Sequence, residues 1–149
     1  MYEKILVPVD GSPTSLQGLR EAIQISKLSG GRMKLLHVVD DLSFMTSLEA
    51  GVMVTADILQ LMREAGEKLL GEALAEVRAA GLDADTQLIE SWSGRVSDVV
   101  VAQARDWGAR LIVLGTHGRR GVGRMLLGSD AEQIARLAPV PVLLVRGQP

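Results

Sequence analysis

The chain of 149 residues is predicted to be an α/β protein built on a five-stranded parallel sheet. Three observations predict this fold. Apolar runs that resemble strands alternate with segments of helical period from one end to the other, which is typical of parallel sheets covered by helices. Several of the strand-like runs are apolar throughout, as in strands that are buried on both faces. Finally, 47% of the residues are apolar and only 3% are aromatic, so the core must consist of aliphatic side chains.

The first half of the chain contains two strands, two helices and one long loop. Residues 4–10, "KILVPVD", form the first predicted strand. Ser12 and Pro13 are typical of a helix start, and the two glycines at 30–31 end that helix. Residues 33–39 form a second buried strand. Residues 40–55 show no regular period, and we expect a long loop there, either a lid near a ligand or a flap packed on its own domain.

The next helix is predicted from an apolar stripe that ends before Gly81. The stripe comprises Ile58, Leu61, Met62, Ala65, Leu69, Ala73 and Val77. The later elements are a weaker strand at 83–90, a helix at 95–107, a buried strand at 109–116, a helix at 129–138 and a last strand at 140–146.

This order of elements predicts one domain, residues 1–149, with neither an internal repeat nor a linker. Right-handed crossovers and a doubly wound sheet give the strand order 3-2-1-4-5, with helices on both faces, which is a Rossmann-like arrangement. Strands 1 and 4 are then neighbours at the point where the winding reverses. Ligands of such sheets bind there, beyond the carboxyl ends of the strands.

Composition excludes several classes of protein. A net charge of −2 offers no basic surface for nucleic acid. The absence of cysteine excludes disulfides, thiolate metal sites and thiol catalysis. No apolar run approaches the roughly 20 residues of a membrane span, and the chain starts directly with a strand, so neither a signal peptide nor a membrane partner is expected. We therefore expect a cytoplasmic protein.

The junction between the fourth strand and the last helix, residues 114–129, contains five glycines and three arginines. The first turn of a helix offers unpaired N–H groups and the positive end of the helix dipole, so it can bind an anion. Gly128 would allow a phosphate to approach closely, and arginines such as Arg119 and Arg124 would neutralise its charge. Alternatively, residues 129–132, "SDAE", form a capping box and the glycines only give the loop flexibility. The Walker and dinucleotide-binding glycine patterns are absent.

The spacing Gly115-x2-Gly118-x9-Gly128-Ser129 resembles the G-2x-G-9x-G-[S/T] signature of the ATP-binding branch of the universal stress protein family. Four further segments resemble the strands of that family in the same order, so the resemblance covers essentially the whole chain. These segments are "KILVPVDGS", "LLHVV", "LIVLGTHG" and "PVPVLLVR".

The resemblance implies ATP, or ADP or AMP, as the ligand, and it implies positions for the contacts. Asp10 would bind the ribose or the adenine side, and a carboxylate there can accept two hydroxyl hydrogen bonds; alternatively, Asp10 only caps the turn that follows it. The adenine slot would be lined by Pro8, Val9 and Val38, with Val38 contributing backbone contacts. Ribose and phosphates would be held by Gly115, Gly118, Gly128 and Ser129, with His117, Arg119 and Arg124 nearby.

One residue departs from the family pattern, in which a small or apolar residue commonly follows the signature serine. Here that residue is Asp130. Its carboxylate interacts favourably with the helix dipole in the absence of a ligand, but it repels a phosphate at the same helix end. This departure favours a nucleotide with fewer phosphates than ATP.

We find no combination of nucleophile, base and orienting group in the sequence. His37 is expected to be a satisfied residue near the core. Asp10 with the pair Asp40 and Asp41 could hold Mg²⁺ together with phosphate oxygens, or the pair is simply a solvated strand end. The leading hypothesis is a nucleotide-binding regulatory protein with little or no hydrolysis. The alternatives are a dimeric adaptor that binds no nucleotide and a slow nucleotidyl hydrolase or transferase.

The last strand, residues 140–146, is expected to form a homodimer. It lies at a sheet edge in the predicted order, it is apolar, and Pro141 suits an edge strand rather than a central one. Pairing with the same strand of a second copy would cover the edge around a twofold axis. The family resemblance implies the same arrangement.

Overall fold

A computed structural model of the chain describes residues 1–40, 56–91, 94–116 and 127–147. Strands and helices alternate along these residues, as the sequence predicts. The elements are β1 Lys4–Pro8, α1 Pro13–Ser29, β2 Arg32–Asp40, α2 Ala56–Ala79, β3 Ala84–Ser91, α3 Val96–Trp107, β4 Leu111–Gly115, α4 Ser129–Leu137 and β5 Val142–Val145.

The strands form one sheet in the order β3-β2-β1-β4-β5, and every pair of neighbours is parallel. The predicted fold and strand order are therefore confirmed. β1 and β4 lie side by side in the middle of the sheet, with Ile5 opposite Leu111 and Leu6 opposite Ile112. The carboxyl ends of these two strands form the point at which the winding reverses.

Successive strand residues point to opposite faces of the sheet, and helices cover the apolar side chains on both faces. On one face, Ile5 and Val7 pack against buried residues of α1 and α2, such as Leu19 and Leu70. On the other face, buried residues of α3 and α4 contact Leu6, Leu36 and Ile112. The central strands are thus enclosed on both sides, which explains their continuous apolar sequence.

The ends of α1 follow the signals that the sequence contains. The Ser12 hydroxyl accepts a hydrogen bond from the backbone N–H of Ser15 at 3.1 Å, and Pro13 is the first helical residue. At the other end Gly30, with a φ of 71°, donates its N–H to the Ser26 carbonyl. Glycine is the residue that adopts this left-handed conformation without strain.

The predicted apolar stripe of α2 is partly wrong. Leu61 is 63% exposed, and Ala65 is exposed as well. The face that packs on the sheet includes Gly66, Leu70 and Val77. Apolar residues are adjacent in the sequence at 61–62 and at 69–70. Two neighbouring stripes on the surface of α2 therefore both recur with the helical period. The buried stripe contains Gly66, where α2 lies close to Leu88 and His37 of the sheet.

Within the described parts of the chain, the helices are too short or too polar to cross a membrane.

Candidate functional site

The turn between β1 and α1 is held by its own side chains. The Oδ1 atom of Asp10 accepts a hydrogen bond from the Ser12 N–H at 2.8 Å. The Asp10 N–H in turn donates to the Ser15 hydroxyl at 3.1 Å, and Gly11 adopts a φ of 83°. Asp10 therefore has the turn-capping role that the sequence suggested as an alternative.

The end of β4 packs directly on the backbone of α1. A Cβ atom at Gly115 would lie 2.6 Å from the carbonyl carbon of Thr14 and 2.8 Å from the backbone nitrogen of Ser15. A Cβ atom at Gly18 would lie 3.2 Å from the nitrogen of Gly115. Gly115 is thus required by the fold itself, whether or not a ligand is bound. This contact also fixes the first turn of α1 against the carboxyl end of β4.

Backbone hydrogen bonds bring the start of α4 back to the end of β4. The buried residue Thr116 donates its N–H to the Val145 carbonyl at 3.0 Å, and its own carbonyl accepts from the Gly128 N–H at 2.7 Å. The first turn of α4 therefore lies beside the end of β4. Both Ser129 and Asp130 are exposed there.

The capping box predicted for residues 129–132 is not formed. The N-cap residue of α4 is Gly128, and Ser129 is already helical. The predicted box needs Ser129 as the N-cap and Glu132 three residues later, but the observed helix begins one residue too early for that pattern. The Glu132 carboxylate instead accepts a hydrogen bond from Arg136 at 2.8 Å, one helical turn further along. Capping by the N-cap side chain is therefore not the reason for Ser129.

The side chains of Val9 and Val38 lie on opposite faces of the sheet. Val9 is only 6% exposed and packs in the cluster covered by α1 and α2. Val38 packs against the cluster on the other face. Pro8, at the end of β1, is partly buried. The side chains of these three residues therefore do not line one common slot.

The backbone of Val38 has a different orientation from its side chain. The Val9 N–H donates to the Leu36 carbonyl at 2.8 Å, so the polar backbone groups of Leu36 point towards β1. Alternate residues of a strand direct these groups to the same side. The N–H and C=O of Val38 therefore point to the side of β1 as well, beyond its last residue, Pro8.

His37 is buried, with an exposed fraction of 7%, and its Nδ1 lies 2.8 Å from the Val9 carbonyl oxygen. Because a carbonyl only accepts, Nδ1 must carry the proton. The prediction of a satisfied residue near the core is confirmed. The link to Val9, the residue directly before Asp10, has no signal in the local sequence pattern. The same holds for the glycine pair Gly18 and Gly66, which permits close approach of helices to this region.

Four predicted contacts, His117, Gly118, Arg119 and Arg124, lie outside the described residues, as do Asp41 and the remainder of the 40–55 segment after Asp40. Within residues 1–40, 56–91, 94–116 and 127–147, no three His, Asp or Glu side chains are grouped to hold a metal ion.

A cleft of about 270 Å³ lies on the other side of the Asp10 turn, between α1 and α2. Leu16, Leu19 and Leu69 line it together with the carboxylate residues Glu72 and Glu76. The carboxylate of Glu72 would repel the phosphates of a nucleotide, and that of Glu76 is already paired with Arg20 at 2.7 Å. The cleft is therefore a less suitable anion site than the sheet end between β1 and β4.

Comparison with known proteins agrees with this architecture over the full chain. A sequence profile described as the Universal stress protein family matches residues 1–146. Universal stress protein MJ0531 of Methanocaldococcus jannaschii is 34% identical over 146 residues, covering 98% of this chain and 83% of that protein. The solved structure of hypothetical protein MJ0577 superposes with a TM-score of 0.83 at 26% identity, covering 100% of this chain and 99% of the other. A universal stress protein in complex with cAMP superposes with a TM-score of 0.72 at 26% identity, covering 99% of each chain.

Proposed function

We propose a function on the premise that this chain belongs to the universal stress protein family: it binds an adenine nucleotide, ATP or its products ADP and AMP, as a regulatory protein with little or no hydrolysis. The observation that carries the proposal is the meeting of two polar elements at the ends of β1 and β4. The Asp10 turn follows β1, and the start of α4 is held beside the end of β4. The related structure with bound cAMP supports an adenine nucleotide as the ligand class.

The phosphate end of the proposed site is the N-terminus of α4. Gly128 has a φ of −59° and a ψ of 150°, a conformation open to any residue, so its backbone does not require glycine. Serine, aspartate or asparagine would cap the helix better. A glycine here leaves the first N–H groups of the helix accessible to a phosphate. Ser129 supplies a hydroxyl, and Gly118, His117, Arg119 and Arg124 complete the proposed contacts.

The nucleoside end of the proposed site is the Asp10 turn together with the end of β2. Asp10 accepts hydrogen bonds from the ribose hydroxyls, as an ionised carboxylate can. The N–H and C=O of Val38 form hydrogen bonds with the edge of the adenine ring. Pro8 contacts the nucleoside beside them. The Val9 side chain is buried in the core, so Val9 contributes through the backbone that carries Asp10.

Magnesium would enter this site with the phosphates. The ion is usually bound by one or two carboxylates and by substrate phosphates. Asp10 is the carboxylate that the structure places at the sheet end, and Asp40 ends the neighbouring strand.

The homodimer through residues 140–146 remains part of the proposal. β5 is shorter than predicted, Val142–Val145, but it is the edge strand of the sheet. Its residue Leu143 is 37% exposed. Antiparallel pairing with a second copy would cover this edge. Light scattering at micromolar concentration should give twice the mass of the chain, and Leu143→Lys should shift the protein towards the monomer. A wild-type monomer at that concentration would refute this arrangement.

Mass spectrometry of the small molecules released from freshly purified, denatured protein tests the proposed function. We expect an adenine nucleotide from the wild type and none from Gly128→Val, with the same circular dichroism spectrum for both proteins. A wild type that releases no nucleotide and also binds none when titrated would favour the adaptor alternative. Turnover of ATP by the isolated protein would favour the hydrolase.

A further inference from the structure

His37 connects three parts of the molecule that surround the proposed nucleoside site. It belongs to β2, its ring packs against α2, and its Nδ1–H donates to the carbonyl of Val9 at 2.8 Å. Val9 is the first residue after β1, and the next residue is Asp10. The ring therefore holds the backbone at the base of the turn that carries the proposed ribose contact.

The hydrogen bond from His37 replaces a bond that the sheet would otherwise supply. In a continuing parallel ladder, the Val9 carbonyl would accept from the N–H of Val38. β1 ends at Pro8, and the His37 ring takes the Val9 carbonyl as an acceptor. The backbone after β1 can thus leave the sheet while the Val9 carbonyl keeps a hydrogen-bond donor. The N–H of Val38 is not needed as the donor of that bond.

We propose that His37 is a positioning residue, which fixes Asp10 for recognition of the two ribose hydroxyls of the nucleotide. This inference rests on the proposed function. His37 acts through the Val9 backbone and has no contact with the ligand. Its role gives the site a preference for ribose over a sugar without these hydroxyls.

A glycine in the middle of α2 supports this role independently. Glycine is unfavourable inside a helix, yet Gly66 lies well within Ala56–Ala79. A Cβ atom at Gly66 would lie 2.8 Å from Cδ2 of His37 and 2.6 Å from Cδ1 of Leu88. The absence of a side chain therefore makes room for the His37 ring. Gly71 in the same helix has no such neighbour, because a Cβ atom there would meet nothing within 4 Å.

The test compares the affinities of ligand-stripped protein for ATP and for 2′,3′-dideoxy-ATP by calorimetry. The wild type should prefer ATP by about tenfold or more, since hydroxyl bonds to a carboxylate are lost in the analogue. In His37→Leu this preference should fall to about threefold or less, because the donor to Val9 is absent. His37→Asn should restore the preference, because its amide nitrogen is as many bonds from Cα as Nδ1 is.

A second pair of variants tests the same role without changing His37. Gly66→Ala should lower the preference for ATP, because its methyl group displaces the ring, whereas Gly71→Ala should preserve it. Both substitutions increase helix propensity equally, so a difference between them reports the contacts of position 66 with His37 and Leu88.

The outcomes separate the two proposals. A wild type that binds neither nucleotide overturns the proposed function, and this inference with it. A wild type that prefers ATP, with the same preference in His37→Leu and in Gly66→Ala, overturns only the role of His37. An equal loss of affinity for both nucleotides, with the preference unchanged, also overturns it, because that result indicates a general structural effect.

Discussion

The two connections that meet at the centre of the sheet are stabilised in different ways. The turn after β1 is held by side chains, through the bonds of Asp10 and Ser15 to neighbouring backbone groups. The described ends of the connection after β4, residues 115–116 and 127–128, are held by the backbone itself, through the contact of Gly115 with α1 and the bond from Gly128 to Thr116. In the first connection one residue, Asp10, serves both the fold and the proposed ligand site. In the second connection, Gly115 serves the packing of the fold and Gly128 serves the proposed ligand site.

This difference predicts which substitutions separate stability from binding. After β4, packing requires glycine at position 115 but not at position 128. Substitution by valine should therefore lower mainly the stability at Gly115 and mainly the nucleotide affinity at Gly128. After β1, removal of the Asp10 side chain should affect both properties. Only a change that keeps the Oδ1 acceptor of Asp10 can separate them.

The largest effect is expected for Gly115→Val. Its side chain would meet the backbone of Thr14 and Ser15 rather than a movable side chain, so we expect a loss of at least about 3 kcal/mol, the upper range for overpacking. Thermal unfolding followed by circular dichroism measures this loss. Gly71→Ala is the control, and it should not lower the midpoint. A Gly115→Val protein as stable as the wild type would mean that α1 does not pack tightly against the end of β4.

Gly128→Val should have a small effect on stability and a large effect on binding. The backbone conformation of Gly128 suits any residue, but the new side chain would cover the N–H groups at the start of α4. We expect ATP affinity to fall by about tenfold or more, with roughly 0.5–1 kcal/mol lost in stability because valine is a poorer N-cap residue than glycine. Titration calorimetry and thermal unfolding of the same preparation measure both. Unchanged affinity would place the phosphates elsewhere.

The pair Asp10→Asn and Asp10→Ala separates the two roles of Asp10. Asparagine keeps an oxygen that accepts from the Ser12 N–H, so its stability should be close to that of the wild type. Its affinity for ATP should fall severalfold, because a neutral amide is a weaker acceptor for hydroxyl groups than a carboxylate. Alanine should lower affinity further and cost about 1 kcal/mol of stability. Equal affinities in all three proteins would restrict Asp10 to the turn.

The smallest effect is expected for Asp130→Val at the first turn of α4. Removing a like charge about 6 Å from the phosphates should tighten ATP binding roughly fivefold after screening. The gain should be smaller for AMP and smaller at high salt. The helix should lose about 0.3–1 kcal/mol, because a favourable dipole interaction disappears. Equal affinities of both proteins for both nucleotides at low and high salt would mean that Asp130 points away from the ligand.

The sequence was sufficient for the strand order, and for the meeting of the ends of β1 and β4 at the centre of the sheet, because both depend on the alternation of elements. It was insufficient where two local patterns compete. In α2, two apolar stripes overlap, and the buried one contains Gly66, which lies close to His37 and Leu88 of the sheet. At α4, the pattern of a capping box is present, yet the N-cap is Gly128, whose N–H bonds to Thr116, and Ser129 is already helical. Such contacts join residues that are distant in the chain, so a local pattern does not contain them.

Titration calorimetry of ligand-stripped wild-type protein with ATP and Mg²⁺ tests the central claim most directly, namely that the two connections together form a nucleotide site. We predict saturable binding with one nucleotide per chain, and competition by ADP and AMP for the same site. The absence of binding heat at several temperatures with all three nucleotides would contradict the claim.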